Sequence, residues 1–281
     1  MPAEKARSNW TDLSSRIASG LLMALAALAA AWFGGVFFFL FWLCAALAIL
    51  AEWSAMVMGA WRLTPALAAG GAGLAGAGAL AFAGMPAWSL AAALAGTIAT
   101  VVLVPGGRRQ GLLAGLGVPY AAASVLPAVL LRSDPLDGAA AIFFLFAVVW
   151  GTDIMAYFTG RTLGGPKLWP AVSPKKTWSG FLGGTLFGAL AGAGVAFVAG
   201  LDDIALLLVF GILLAVVSQG GDLLESALKR HFGVKDASHL IPGHGGVMDR
   251  LDGFIAAGLL AVLIGLAHDA ALPAFGLLHW R

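Results

Sequence analysis

Charge, cysteine and histidine are all scarce in this chain, and each shortage removes a class of function. Only 11% of its residues are Asp, Glu, Lys or Arg, and the net charge is +2. The basic residues stand between apolar segments rather than on one face, which excludes a nucleic-acid footprint. A single cysteine, Cys44, lies inside an apolar run. It cannot close an intrachain disulfide and reads as a small buried hydrophobe. The five histidines lack the spacing and the cysteines of a zinc site.

What fills the space is apolar: 60% of residues are hydrophobic, 39 are glycine, and the mean hydropathy is +0.93. Runs near twenty residues match the hydrocarbon thickness of a bilayer. The fold class is therefore an all-α polytopic integral membrane protein with about nine transmembrane helices. Hydrophobic length and Gly, Pro or charge punctuation place them at 17–33, 36–51, 63–83, 87–104, 112–131, 138–158, 180–199, 204–223 and 253–272. Gly34-Gly35 makes the first two a hairpin that spans tightly or dips in and returns. The organisation is a polar N-terminus at 1–16, in which 9–19 can form an interfacial helix, then five helices over 17–137. A region at 138–281 follows, with polar stretches at 159–179 and 224–252.

With a cytoplasmic N-terminus and alternating sides, fourteen Lys and Arg residues fall inside, and only Arg132 and Arg281 fall outside. This predicts an external C-terminus and puts both polar stretches on the cytoplasmic face, where they can build one site. Gly180, Gly184, Gly188 and Gly192 form a small-residue stripe that favours close helix packing or a dimer contact. Trp32, Trp53, Trp61, Trp88 and Trp169 fall near helix boundaries, as interface anchors do. Glu52, Asp134, Asp137, Asp202 and Asp203 fall at helix ends and read as solvated.

The stretch from Gly221 to Asp252 is the exception to the apolar rule. It holds Asp222, Glu225, Asp236, Asp249 and Asp252 together with four cations and three histidines. Ionisable groups at membrane depth are costly, so they mark a functional site. Asp222 ends one helix while Asp249 and Asp252 begin the next. Carboxylates that converge repel unless a cation joins them, and an oxygen-rich set suits Mg²⁺. Lys229, Arg230, Lys235 and Arg250 beside a metal suit a polyanion. The Gly-rich turn at His244, Gly245 and Gly246 can offer backbone N–H groups to a phosphate, or be only a turn. Asp153 lies in an otherwise apolar helix. Ser173, Lys175, Lys176 and Thr177 suit a phosphate clamp, or else basic flanks that touch anionic lipid.

Residues 226–252, SALKRHFGVKDASHLIPGHGGVMDRLD, resemble the signature of the phosphatidate cytidylyltransferases, the CDP-diacylglycerol synthases. The match rests on Ser226, Lys229-Arg230, Lys235-Asp236, Pro242, His244-Gly245-Gly246 and Asp249-Arg250 with Asp252. Asp153, Ala156-Tyr157, Gly160-Arg161 and the run from Ser173 to Trp178 resemble the family's upstream block. The first five helices are similar only in hydrophobic character, and Ser179 stands where relatives often carry Glu or Gln.

The resemblance implies transfer of a cytidylyl group from CTP to phosphatidic acid, giving CDP-diacylglycerol and pyrophosphate. It implies Mg²⁺, with a second cation left open, at Asp222 and Asp249. Lys229, Arg230, Lys235 and Asp236 join these two as catalytic residues. Asp153, Tyr157, Arg161, Ser173, Lys175, Lys176, Thr177, Ser226, His244, Gly245, Gly246, Arg250 and Asp252 would bind substrate. It further implies a homodimer in a bacterial inner membrane, with the site facing the cytoplasm. Two readings compete: an ion-coupled transporter using Asp153 and Asp222, and a CTP-dependent polyprenol or phytol kinase. The Asp-Gly-x-x-Ala-Arg block of CDP-alcohol phosphotransferases is absent from the sequence.

Overall fold

The computed structural model describes residues 2–280, with side chains from 17 to 280. The side chains of the polar N-terminus, including Lys5, Arg7 and Arg16, and the C-terminal Arg281 lie outside the described residues. Eleven helices follow in order: α1 (Pro2–Phe33), α2 (Gly35–Met58), α3 (Pro65–Phe82), α4 (Pro86–Leu103), α5 (Arg108–Gly115), α6 (Gly117–Arg132), α7 (Gly138–Leu163), α8 (Trp178–Val198), α9 (Ile204–His231), α10 (Met248–His268) and α11 (Pro273–Leu278). Between α7 and α8 lies an antiparallel pair, β1 (Lys167–Trp169) and β2 (Ser173–Thr177). Eight segments are long and apolar enough to cross a bilayer, α5 and α6 counting together, and the apolar part of α1, Ile17–Phe33, is a shorter ninth. The protein is an all-α polytopic membrane protein, as its hydropathy predicts.

Several helices outrun their apolar cores. The second continues to Met58, seven residues past the predicted end, because Glu52 is buried rather than solvated. The helix beginning at Ile204 continues to His231, so Lys229 and Arg230 stand on its last turn instead of in a loop. The last long helix begins at Met248 and ends at His268, leaving 269–272 to lead into α11.

Glycine sets the closest approaches. A Cβ on Gly184 would lie 2.8 Å from the Thr152 carbonyl oxygen, and one on Gly188 would lie 2.7 Å from that of Val148. The stripe on α8 is therefore consumed by α7 within the chain. Gly73 of α3 meets Gly96 of α4 in the same way, its Cβ position 2.5 Å from the Gly96 Cα.

Polar contacts segregate to two ends of the bundle. At one end, Arg132 Nε donates to the Ala31 carbonyl (2.7 Å), His279 pairs with Asp137 (3.0 Å), and the Trp280 N–H donates to Asp203 (3.3 Å). Asp134, 3% exposed, accepts from the N–H groups of Leu136, Asp137 and Phe275, so it is a buried tie and not a solvated group. Asp269 accepts from the N–H groups of Leu272 and Ala271, which hold its carboxyl below the ordinary range. At the other end gather the end of α2, the β-hairpin, the end of α9 and the loop before α10. Trp53 belongs here; it is 4% exposed, donates to the Leu113 carbonyl (2.8 Å) and packs on Tyr120, so it is no interface anchor. Cys44 faces outward from α2 and is not buried.

Candidate active site

Three helices carry charge to this second end: α7 in its last turns, α9 in its last turns and α10 in its first. Between them, roofed by the β-hairpin, opens a cavity of about 770 Å³, within the range of small-ligand sites. Six carboxylates line it (Asp153, Asp222, Glu225, Asp236, Asp249, Asp252), and so do six cations (Arg161, Lys167, Lys175, Lys176, Lys229, Arg250). A pocket balanced this way is neither a plain anion trap nor a plain cation trap. It suits a ligand that brings phosphates and a metal together.

Lys229 is the internal tie. Its Nζ lies 2.5 Å from both Glu225 and Asp249, joining α9 to α10, and the side chain is 11% exposed. Glu225 stands one helical turn before Lys229, the spacing that lets the two meet. Asp249 is shared with the backbone: its Oδ2 accepts from the N–H of Gly246 (2.8 Å) and of Ala237 (3.1 Å). A residue so placed organises the loop from Phe232 to Val247 and faces the cavity at once. Gly245 has φ +84°, and a Cβ there would lie 2.9 Å from the same Oδ2. Glycine at this position follows from that approach.

The hairpin supplies the facing wall. Lys176 reaches from β2 to Asp222 (2.5 Å), and the Asp222 Oδ1 accepts a long bond from Ser226 (3.5 Å). Thr177 caps α8 by accepting from the Gly180 N–H (3.1 Å). Ser179 donates to the Gly164 carbonyl, fastening the start of α8 to the turn after α7. The hydroxyl here does a structural job. On α7, Arg161 donates to the Tyr157 hydroxyl (2.7 Å) at the mouth of the cavity.

The structure brings together most of the residues predicted from sequence. Asp153, Tyr157, Arg161, Lys175, Lys176, Thr177, Asp222, Lys229, Asp236, Asp249, Arg250 and Asp252 all line the one cavity. Ser226 stands behind Asp222. Ser173 is in register with Trp169 at the start of β2, and Lys235 is exposed on the loop. Arg230 turns to the Val234 carbonyl (3.1 Å) and closes the end of α9. His244 contacts Ser19 of α1 through Nδ1 (2.8 Å), and Gly246 lies against Glu52. Sequence reasoning passed over Gln219 and Lys167, both in the lining, and left Glu225 without a role. Glu225 had a signal in its spacing from Lys229; Gln219 had one as a buried amide within an apolar run.

The lining fits a divalent cation carried in with phosphate. Asp153 and Asp252 line the same cavity as Asp222, which Lys176 pairs at 2.5 Å. Among the described residues, however, no three metal-binding side chains already close on one point. Such a set suits Mg²⁺, which takes one or two carboxylates and leaves its other positions to water and phosphate.

The model of the cytidylyltransferase family matches residues 14–267. The chain belongs to this family. It is a nucleotidyltransferase by that membership. Among curated relatives, the phosphatidate cytidylyltransferase of Brucella abortus biovar 1 is 41% identical over 256 residues, 91% of this chain and 94% of that protein. The phosphatidate cytidylyltransferase of Staphylococcus haemolyticus is 47% identical over 120 residues, 42% of this chain and 46% of its own. That of Bacillus subtilis is 46% identical over 126 residues, 44% and 47% of the two chains.

Proposed function

We propose that this cytidylyltransferase is a Mg²⁺-dependent CTP:phosphatidate cytidylyltransferase that makes CDP-diacylglycerol and pyrophosphate. The observation that carries the reading is the cavity lined by six carboxylates and six cations at one end of a membrane bundle, in a chain whose relatives bear that name. In the reaction, a phosphate oxygen of the lipid forms a bond to the α-phosphorus of CTP while the bond from that phosphorus to the β-phosphate oxygen breaks. Phosphatidate arrives as an anion, so no strong base is needed. Lys175, Lys176 and Arg161 would hold the phosphates in line, and Lys229 and Arg250 would offset charge as it builds. Asp222 and Asp249 would hold Mg²⁺, which supplies neutralisation of the triphosphate and of the leaving pyrophosphate. This end of the bundle faces the cytoplasm, where Lys and Arg concentrate by the positive-inside rule and where CTP is found. A homodimer in the bacterial inner membrane goes with the reading; the α8 stripe does not supply its contact, being packed on α7.

The test uses purified protein with phosphatidate, Mg²⁺ and CTP labelled at either the α or the γ phosphate. The α label on lipid with release of pyrophosphate is expected. The γ label on a lipid alcohol would make the protein a kinase. Movement of neither label would return the transporter reading.

A further inference from the structure

Glu52 is 0% exposed although it stands on α2, far in sequence from every residue of the cavity. Its Oε1 accepts from the Ser238 hydroxyl (2.6 Å) and the Val247 N–H (2.8 Å), and its Oε2 from the Met248 N–H (2.7 Å). Among the described residues no cation stands against it. Its oxygens are met by hydrogen donors, two of them the N–H groups of Val247, the N-cap residue of α10, and of Met248, its first residue; Val247 itself provides no side-chain acceptor. A carboxylate is favoured at such a helix start. A neutral cap from within the loop would satisfy α10 equally well. Glu52 does something a local cap cannot: it holds Ser238 at one side of the signature loop and residues 247–248 at the other.

The next link is covalent. Met248 precedes Asp249, and Gly246, which donates to Asp249 Oδ2, is pressed so close to Glu52 that a Cβ would lie 2.7 Å from Oε1. Glu52 therefore fixes the peptide that aims Asp249 at Lys229 and the cavity. Groups behind a reactive constellation set its geometry in this way.

We infer that Glu52 is a positioning residue for the transfer reaction, holding the loop from Phe232 to Val247 and the start of α10 so that Asp249 and Arg250 face the substrates. The inference rests on the cytidylyl transfer proposed above. Glu52→Gln keeps the shape and turns one acceptor into a donor aimed at donors. It is expected to lower kcat by roughly 10- to 100-fold, to shift KM for CTP less than kcat, to speed amide hydrogen exchange at 246–248, and to lower the melting temperature, since the bonds lost were made to a charged acceptor. Glu52→Asp, with the charge but a shorter reach, falls between. Wild-type kcat, or a loss that only follows the fraction of folded enzyme with exchange at 246–248 unchanged, overturns the inference. If Glu52→Gln does not fold, Ser238→Ala removes one donor and leaves two; kcat a few-fold lower is expected, and wild-type kcat overturns it. A wild-type protein that moves no α label to phosphatidate sinks the transferase reading instead, while the exchange at 246–248 still reports whether Glu52 holds the loop.

Discussion

Lys229 Nζ lies 2.5 Å from Asp249 Oδ1, so the end of α9 and the start of α10 meet in an ion pair at the wall of the cavity. The same ammonium serves Glu225, whose side chain is 1% exposed. Removing the cation would strand two carboxylates where water reaches them poorly. Lys229→Met is thus expected to cost about 3–5 kcal/mol of stability and to abolish measurable transfer. Thermal unfolding in detergent, run beside the labelled-CTP assay, reads both.

Lys176 makes the contrasting case. Its pair with Asp222 is equally short, but the two side chains are 26% and 34% exposed. Solvent screens such a pair, which contributes at most about 1 kcal/mol. Lys176→Ala should therefore leave the melting temperature close to wild type and raise KM for CTP several-fold. A lowered melting temperature with unchanged KM would make Lys176 a fastener of the hairpin and not a phosphate contact.

Two glycines of the loop between α9 and α10 separate two physical causes. Gly246→Ala would press a methyl group on a carboxylate held by three donors; overpacking of this kind costs about 1–3 kcal/mol and would displace the start of α10. Gly233 has φ +72° but open space around its Cβ position. Gly233→Ala should cost only the left-handed backbone penalty, about 1–2 kcal/mol, with kcat retained in the folded fraction. Equal kcat losses in the two variants would remove the Gly246–Glu52 approach as the cause.

Much of this was legible in the sequence because bilayer physics is one-dimensional: an apolar run either spans or it does not. The signature region was legible because its charges are rare and costly at that depth. Glu52 shows where such reading stops. Patterning treats a carboxylate at the edge of an apolar run as a helix end, and only the fold shows that its partners come from the loop near Ser238 and Met248. Asp134 and Trp53 escape such reading for the same reason, since their partners Phe275 and Leu113 are distant in sequence. Hydropathy falls at Asp222 and so hides the helical placement of Lys229 and Arg230, although the backbone remains helical for nine residues beyond it. The β-hairpin leaves no alternating apolar pattern, because its strands are only three and five residues long.

The roles of Asp222 and Asp249 can be separated although both are proposed to hold Mg²⁺. Asp222 is tied to the protein by a half-buried ion pair and a long hydroxyl bond. Asp249 accepts from two loop amides and from a buried ammonium. Asp222→Asn should raise the Mg²⁺ concentration for half-maximal transfer by about tenfold or more with little change in unfolding temperature. Asp249→Asn keeps the shape, but its amide turns a donor toward donors. Bonds to a charged acceptor contribute about 1.5–3 kcal/mol each, so this variant should lose transfer and stability together. If the residual transfer of Asp249→Asn titrates with Mg²⁺ as the wild type does while that of Asp222→Asn is shifted, Asp249 acts through the loop and the metal rests with Asp222 and its neighbours Asp153 and Asp252.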